Sequence, residues 1–338
     1  MMEGGRKSRQ PIRVPWTREQ LVHERAVALG NSIDKSTRLT YNSALNSYIS
    51  FVTAHELPVN PTEDTLSFFT VYMCNHISPK SVNSYLSGIV QQLEGDFPGV
   101  RAARNSRLVA KTLAGCMRMH GQATKRKDAL TLEDLDIVIK HYEHSTKHDD
   151  RLFVAMLVTG FFALMRLGEL TFSDDEKLHN WKKIIRRSSV LIHGSSHYEF
   201  LLPAHKADKF FEGNKIVVRA QQYRHNPLLH FQSYLTSRDH LHSLASPLWI
   251  TEAGHIPTRS FFMTRLRFFF SAKIGGQSMR AGGATSLAEH GVSPSLIQAM
   301  GRWSSSAFLV YIRKNPAIIQ GMLHARPATH PPSPIQPS

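Results

Sequence analysis

The stretch Leu152 to Met165 carries no charged side chain and stops at Arg166, with Glu169 three residues further on. Crossing a bilayer takes about 20 apolar residues, so this run is too short to be a membrane span. It reads as a buried helix, and such a helix needs other elements packed around it. It also sets an arginine at the edge of a core. A guanidinium there is costly unless it is paired or used. A structural Arg166–Glu169 pair is the plain reading, and a functional site is the other.

The chain has 338 residues, 41% of them hydrophobic, which suits two domains of ordinary size. Its formal net charge of +15 suits a polyanionic partner, of which nucleic acid is the usual one. Cys74 and Cys116 are the two cysteines, so no disulfide framework is implied and a reducing compartment fits. No signal-peptide pattern opens the sequence, and no membrane is expected as a partner.

Composition and periodicity divide the chain into five parts. Residues 1–20 read as a basic, mobile arm, 21–120 as a small helical domain, 121–128 as a basic linker, 129–325 as a second domain, and 326–338 as a disordered, proline-rich tail. Four helical patterns fill the first domain. They open at Ser36 or Thr37, at Thr62, at Ser78-Pro79 and at Asn105 or Ser106. Tyr41, Ala44, Leu45, Tyr48, Ile49 and Val52 are expected to face inward on the first, and Leu108, Leu113 and Met117 on the fourth. The third presents Lys80, Ser81, Asn83, Ser84 and Ser87 outward; this is either a solvated face or one that lies along a phosphate backbone. Lys125, Arg126 and Lys127 make the linker basic. In the second domain, Thr131 and Asp134 form a capping box, and the helix through Leu152–Leu170 is expected to break at Thr159-Gly160. Strands are expected over Ser189–His193, His197–Leu202 and Lys215–Arg219, with helices returning from Thr258.

Four segments can carry chemistry: "TGFFALMRLGEL" with Arg166 and Glu169, the turn holding Lys206, "SMRAGGATSLAEHGV" with Arg280, and "GRWSSSAFLVYIR" with Trp303 and Tyr311. Each taken alone has a structural reading: an ion pair, an exposed lysine, a helix start, a rim tyrosine. Together they suit transesterification of a phosphodiester. Two guanidiniums can grip the non-bridging oxygens, a lysine can protonate a leaving 5′ oxygen, and a tyrosine can attack phosphorus. No metal or other cofactor is called for. His225 with His230, and His240 with His242, lack the further ligands a metal site needs.

These segments, in this order, resemble the tyrosine recombinases of the phage-integrase and Cre-like family over roughly residues 30–325. Their style is nearest the integrase-like proteins of eukaryotic, notably fungal, mobile elements. The resemblance implies a mainly α protein with a small β-sheet, made of a helical core-binding domain and a mixed α+β catalytic domain. It implies duplex DNA as partner, self-association on DNA from dimer to tetramer, and a nuclear location in a eukaryote or a cytoplasmic, DNA-associated one otherwise. It makes Arg166 and Arg280 the catalytic arginines, Glu169 the brace, Lys206 the hairpin lysine, Trp303 the His/Trp residue and Tyr311 the nucleophile. Trp303 precedes Tyr311 by one residue fewer than in many relatives, and Arg302 restores the usual spacing. Gln277 stands where the family's second-arginine motif usually has histidine. An amide can bond a phosphate oxygen but cannot act as acid or base. A slow or inactive relative that binds DNA as an architectural or regulatory protein is therefore the alternative. A relaxing enzyme like the type IB topoisomerases is a third reading. The apolar face of Ile318, Ile319, Met322 and Leu323 is read as either an internal contact or a dock for a neighbouring protomer.

Overall fold

The computed structural model describes residues 14–30, 32–122, 126–204, 212–305 and 309. It separates into two compact units that meet between Thr124 and Lys125, inside the segment expected as a linker. Among the described residues, no helix is long and apolar enough to cross a membrane.

The first unit is all helix: α1 (Arg18–Gly30), α2 (Lys35–Ala54), α3 (Glu63–Cys74), α4 (Pro79–Leu93), α5 (Val100–Arg104) and α6 (Arg107–His120). α1 begins at Arg18, so the expected arm is cut short by a helix that buries none of its own residues. Three N-caps follow the sequence signals. Thr62, Ser78 and Ser106 accept from the amides of Thr65, Ser81 and Val109, which satisfies helix-start donors that otherwise have no partner. The cap of α2 is Asp34, not Ser36 or Thr37, and its side chain makes no capping bond. On α2, Phe51 is buried and Ile49 is exposed, while on α6 Val109, Leu113 and Cys116 face inward and Leu108 and Met117 face out. Of the expected inward residues of α6, Leu113 is buried, while Val109 and Cys116 take the places expected for Leu108 and Met117. The core joins Tyr48, Phe51, Leu66, Phe69, Leu86 and Ile89, with Tyr48 and Phe69 meeting edge to face at 5.5 Å.

The second unit is built around α8. Its elements are α7 (Leu132–Tyr142), α8 (His148–Phe162), the single turn α9 (Leu167–Leu170), β1 (Leu191–His193), β2 (His197–Leu202), β3 (Asn214–Arg219), α10 (Pro227–Leu241), α11 (Arg259–Phe269), α12 (Ser278–Glu289) and α13 (Pro294–Met300). α8 is buried from Leu152 to Phe161, and α7, α10 and α12 pack against it. It runs unbroken through Thr159-Gly160, contrary to expectation. Gly160 is admitted because Met279 of α12 and Leu170 press on its open side, leaving no room for a larger residue. The break comes at Ala163–Met165, where Leu164 takes a left-handed backbone with φ of 50°. α10 also lies outside the expected pattern. It starts on Asn226-Pro227 and buries Phe231 and Tyr234.

The sheet is antiparallel in the order β1-β2-β3, with His193 opposite His197 and Leu202 opposite Asn214. Tyr198 and Phe200 point into the core, where the Tyr198 ring stacks on Phe231 at 4.0 Å. Its hydroxyl meets the Thr159 hydroxyl at 2.7 Å, and burial drives the phenol's pKa upward. The alternate face of the sheet carries His193, Lys215 and Val217, which are exposed, His197, which is half-buried, and Glu199, which is buried.

Candidate active site

The break after α8 supplies the first arginine. α8 ends at Phe162, the chain turns through Leu164, and α9 starts with Arg166 as its N-cap. The Arg166 amide donates to Glu169 Oε2 and the Arg166 guanidinium to Oε1, both at 2.9 Å. Glu169 is therefore fixed by main chain and side chain at once, and its side chain is 7% exposed against 23% for Arg166.

A second arginine shares this carboxylate. Arg302, 7% exposed at its side chain, reaches Glu169 Oε2 at 3.2 Å and the carbonyls of Ala163, Leu164 and Met300 at 3.1 to 3.3 Å. Burial lowers its pKa, and Glu169 opposes that shift. Its backbone is left-handed, with φ of 56°. Leu164 and Arg302 are two of the three non-glycine residues in that region among the described residues, and they are bonded to each other. Such backbone costs of order 1–3 kcal/mol per residue and persists where surrounding contacts over-determine it.

Arg280 lies in the first turn of α12 and is 1% exposed. Its guanidinium donates to Leu164 O at 2.6 Å and to Gly301 O. The same group lies 4.0 Å from the Trp303 ring centroid, a cation–π arrangement. Trp303 packs at the edge of a small cluster of Leu164, Ala284, Ala288 and Ile297. Gly282 and Gly283 allow α12 to lie this close. A Cβ on either would sit 2.0 Å from a carbonyl oxygen, that of Leu130 or Phe161 respectively. The close approach these glycines permit is thus to the chain's own backbone.

The structure brings Arg166, Glu169, Arg280 and Trp303 together around the Leu164 turn and adds Arg302. The sequence signal for Arg302 is its spacing from Tyr311. Gln277 is exposed, at the N-cap position of α12, and its side chain makes no capping bond. Lys206 and Tyr311 lie outside the described residues, as do Lys125 and the apolar stretch from Ile318 to Leu323.

In the first unit, Lys80, Ser81, Asn83 and Ser84 are exposed along α4. Ser81 backs onto the Ser78 cap at 2.9 Å, and Ser84 turns its hydroxyl to Lys80 O at 3.4 Å. Arg104 of α5 donates to Asn83 Oδ1 at 2.5 Å and so adds a guanidinium to this face, which the helix periodicity of α4 alone does not show. In the second unit Arg126 is exposed, whereas Lys127 donates to Ala272 O at 2.6 Å. Asp128 and Leu130 donate in turn to Lys273 O and Ser278 O, so the chain lies alongside the segment that leads into α12. Of the histidines weighed above for a metal, His225 sits 3.2 Å from Asp136 and His230 bonds Arg224 O at 2.8 Å.

No protein-family model matches this chain, and no curated protein matches its sequence. Solved structures do. The XerH site-specific recombinase, in a post-cleavage complex with palindromic difH substrate, superposes with a TM-score of 0.58 at 15% identity, over 85% of this chain and 78% of that one. The Tn1549 transposon integrase, in complex with circular-intermediate DNA, gives 0.55 at 14% identity, over 90% and 97%. The lambda integrase tetramer on a Holliday junction gives 0.54 at 14% identity, over 87% and 76%. The fold is that of the tyrosine recombinases and integrases: mainly α, with a three-stranded antiparallel sheet in the second unit.

Proposed function

We propose that this chain cuts and rejoins DNA through a covalent 3′-phosphotyrosine intermediate, as a site-specific recombinase or integrase. The observation that carries the reading is the cluster at the Leu164 turn, where Arg166 and Arg280 converge from α9 and α12, elements far apart in sequence. Glu169 holds Arg166 in place, and Trp303 covers Arg280. Fixed guanidiniums suit the charge that builds on a phosphodiester in its transition state. In the proposed step, the Tyr311 oxygen attacks phosphorus and loses its proton to water, the bond to the 5′ oxygen breaks, and Lys206 protonates that oxygen. The phosphodiester energy is kept in the new bond, so resealing needs no external supply. The +15 charge and the exposed Lys80, Ser81, Asn83, Ser84 and Arg126 support duplex DNA as the substrate. Assembly of two to four protomers on DNA belongs to the same proposal, as does a nuclear site of action in a eukaryotic source.

The second reading is a DNA-binding protein without strand transfer. Two observations favour it: Gln277 in place of a titratable side chain, and an Arg280 guanidinium already bonded to two main-chain carbonyls. A suicide DNA substrate nicked near the cleavage point separates the two. A covalent adduct that disappears in Tyr311→Phe supports strand transfer, while tight binding with no adduct supports the second reading.

A further inference from the structure

The outer face of the sheet carries a second group of side chains, in which His193 is exposed, His197 half-buried and Glu199 buried. The segment "HGSSHYE" forms the β1–β2 hairpin. Gly194 takes the left-handed conformation the tight turn needs, with φ of 55°, and the Ser196 amide closes the turn onto His193 O at 3.0 Å. The register then sets His193 directly opposite His197 and Leu191 opposite Glu199. Strand periodicity puts His193, His197 and Glu199 on one face, because residues two apart in a strand point the same way.

Their geometry is close. The two imidazoles stack 4.2 Å apart at 11°. His193 Nε2 lies 3.6 Å from Glu199 Oε1, and one ligand atom from each of the three residues falls within 4.8 Å of the others. Ser196 Oγ lies 3.0 Å from His197 Nδ1. With His197 Nδ1–H donating to the Ser196 hydroxyl, Nε2 is left free to bind, the arrangement that orients most metal-ligating histidines. Two ligands at about 2.1 Å in a tetrahedron stand about 3.4 Å apart, so the His193–Glu199 separation already matches a shared ion.

We propose that His193, His197 and Glu199 form a binding site for a zinc-class divalent cation, with the fourth position open to water. Two imidazoles and one carboxylate select borderline metals such as Zn²⁺ over Mg²⁺ or Ca²⁺, which require oxygen ligands. The ion ties β1 to β2 across the hairpin. Lys215 is the built-in competitor: its ammonium donates to Glu199 Oε1 at 2.9 Å, where the metal would bind. With its side chain 66% exposed, Lys215 can swing away when the ion arrives. The inference stands on this face alone and does not depend on strand transfer.

The test uses the full chain and Zn²⁺ alone, in competition with a chromophoric chelator. The chain has 19 histidines, so the reading is a difference between variants rather than a bare stoichiometry. Wild type should bind one Zn²⁺ more than the His193→Ala/His197→Ala double variant. Glu199→Gln should weaken that site at least tenfold, and Lys215→Met, which removes no ligand, should tighten it. Cobalt substitution should give intense tetrahedral absorption bands in wild type that the double variant lacks. If far-ultraviolet circular dichroism shows the double variant misfolded, His193→Gln at an exposed position takes its place. Equal Zn²⁺ stoichiometry and affinity in wild type and the histidine variants overturns the proposal, as does weaker binding in Lys215→Met.

Discussion

Arg280 and Arg302 donate to the same acceptor, the main-chain oxygen of Leu164, at 2.6 and 3.2 Å. Two cations converge there on one carbonyl at a left-handed turn, and the Glu169 carboxylate pairs with Arg302 beside it as well as with Arg166. Glu169→Gln should therefore cost about 3 kcal/mol, as expected when one partner of a buried ion pair is removed. Urea unfolding should show a lower midpoint with an unchanged slope. Stability equal to wild type would mean that Glu169 does not balance these guanidiniums.

Trp303 covers the Arg280 guanidinium, and a desolvated cation–π contact is worth about 2 kcal/mol. Trp303→Ala should lose at least that much and reduce cleavage, whereas Trp303→Phe should retain most of both. Single-turnover cleavage and thermal unfolding of the pair decide it. Equal losses in the two variants would show that ring stacking is not the relevant contact.

Gly283 cannot accept a methyl group, because its Cβ would meet Phe161 O at 2.0 Å. Gly283→Ala should force α12 off α8 and destabilise the second unit by at least the upper part of the about 1–3 kcal/mol range for overpacking. Gly168→Ala is the control, since a Cβ there meets nothing within 4 Å. Thermal unfolding of the two variants should differ clearly.

Gln277 can hold a phosphate oxygen but cannot move a proton. Under the strand-transfer reading, wild-type cleavage should keep rising with pH toward the tyrosine pKa of about 10. Gln277→His should speed cleavage near neutral pH, by up to the about 10²–10⁴-fold that a positioned acid or base supplies. A pH–rate profile that is flat in wild type and unchanged in Gln277→His would oppose this account.

DNA affinity should fall steeply with salt, because each neutralised phosphate releases counterions. Lys80→Ala should reduce the slope of log affinity against log salt by about one if Lys80 contacts a phosphate. An unchanged slope would take the α4 face out of the DNA interface.

Where the sequence was readable, the reason was local. Thr62, Ser78, Ser106 and Thr131 announced helix starts because capping depends on a few adjacent residues. The strand His197–Leu202 was equally plain. Other features depended on contacts distant in sequence. The break near Gly160 was misplaced because that glycine serves packing by Met279 and Leu170, while the real stop is a left-handed leucine held by two arginines. α10 was missed because its apolar residues show little helical periodicity next to the polar ones. The motif order marked Arg166, Glu169, Arg280 and Trp303, but only the fold shows that Arg302 shares the Glu169 carboxylate. The His-x₃-His-x-Glu spacing of the hairpin stands in the sequence, but a cross-strand pair emerges from it only once the register is known.

Asp128 donates to Lys273 O, ahead of the helix that carries Arg280, and Leu130 donates to Ser278 O, in that helix's first residue. In hydrogen-exchange terms, these two bonds predict that the start of the second unit and the start of α12 open together. The amide protons of Asp128, Leu130 and the first turns of α12 should therefore exchange with one common free energy. A substitution that loosens the chain at Asp128 will then be read out as faster exchange at Arg280, more than a hundred residues away in sequence.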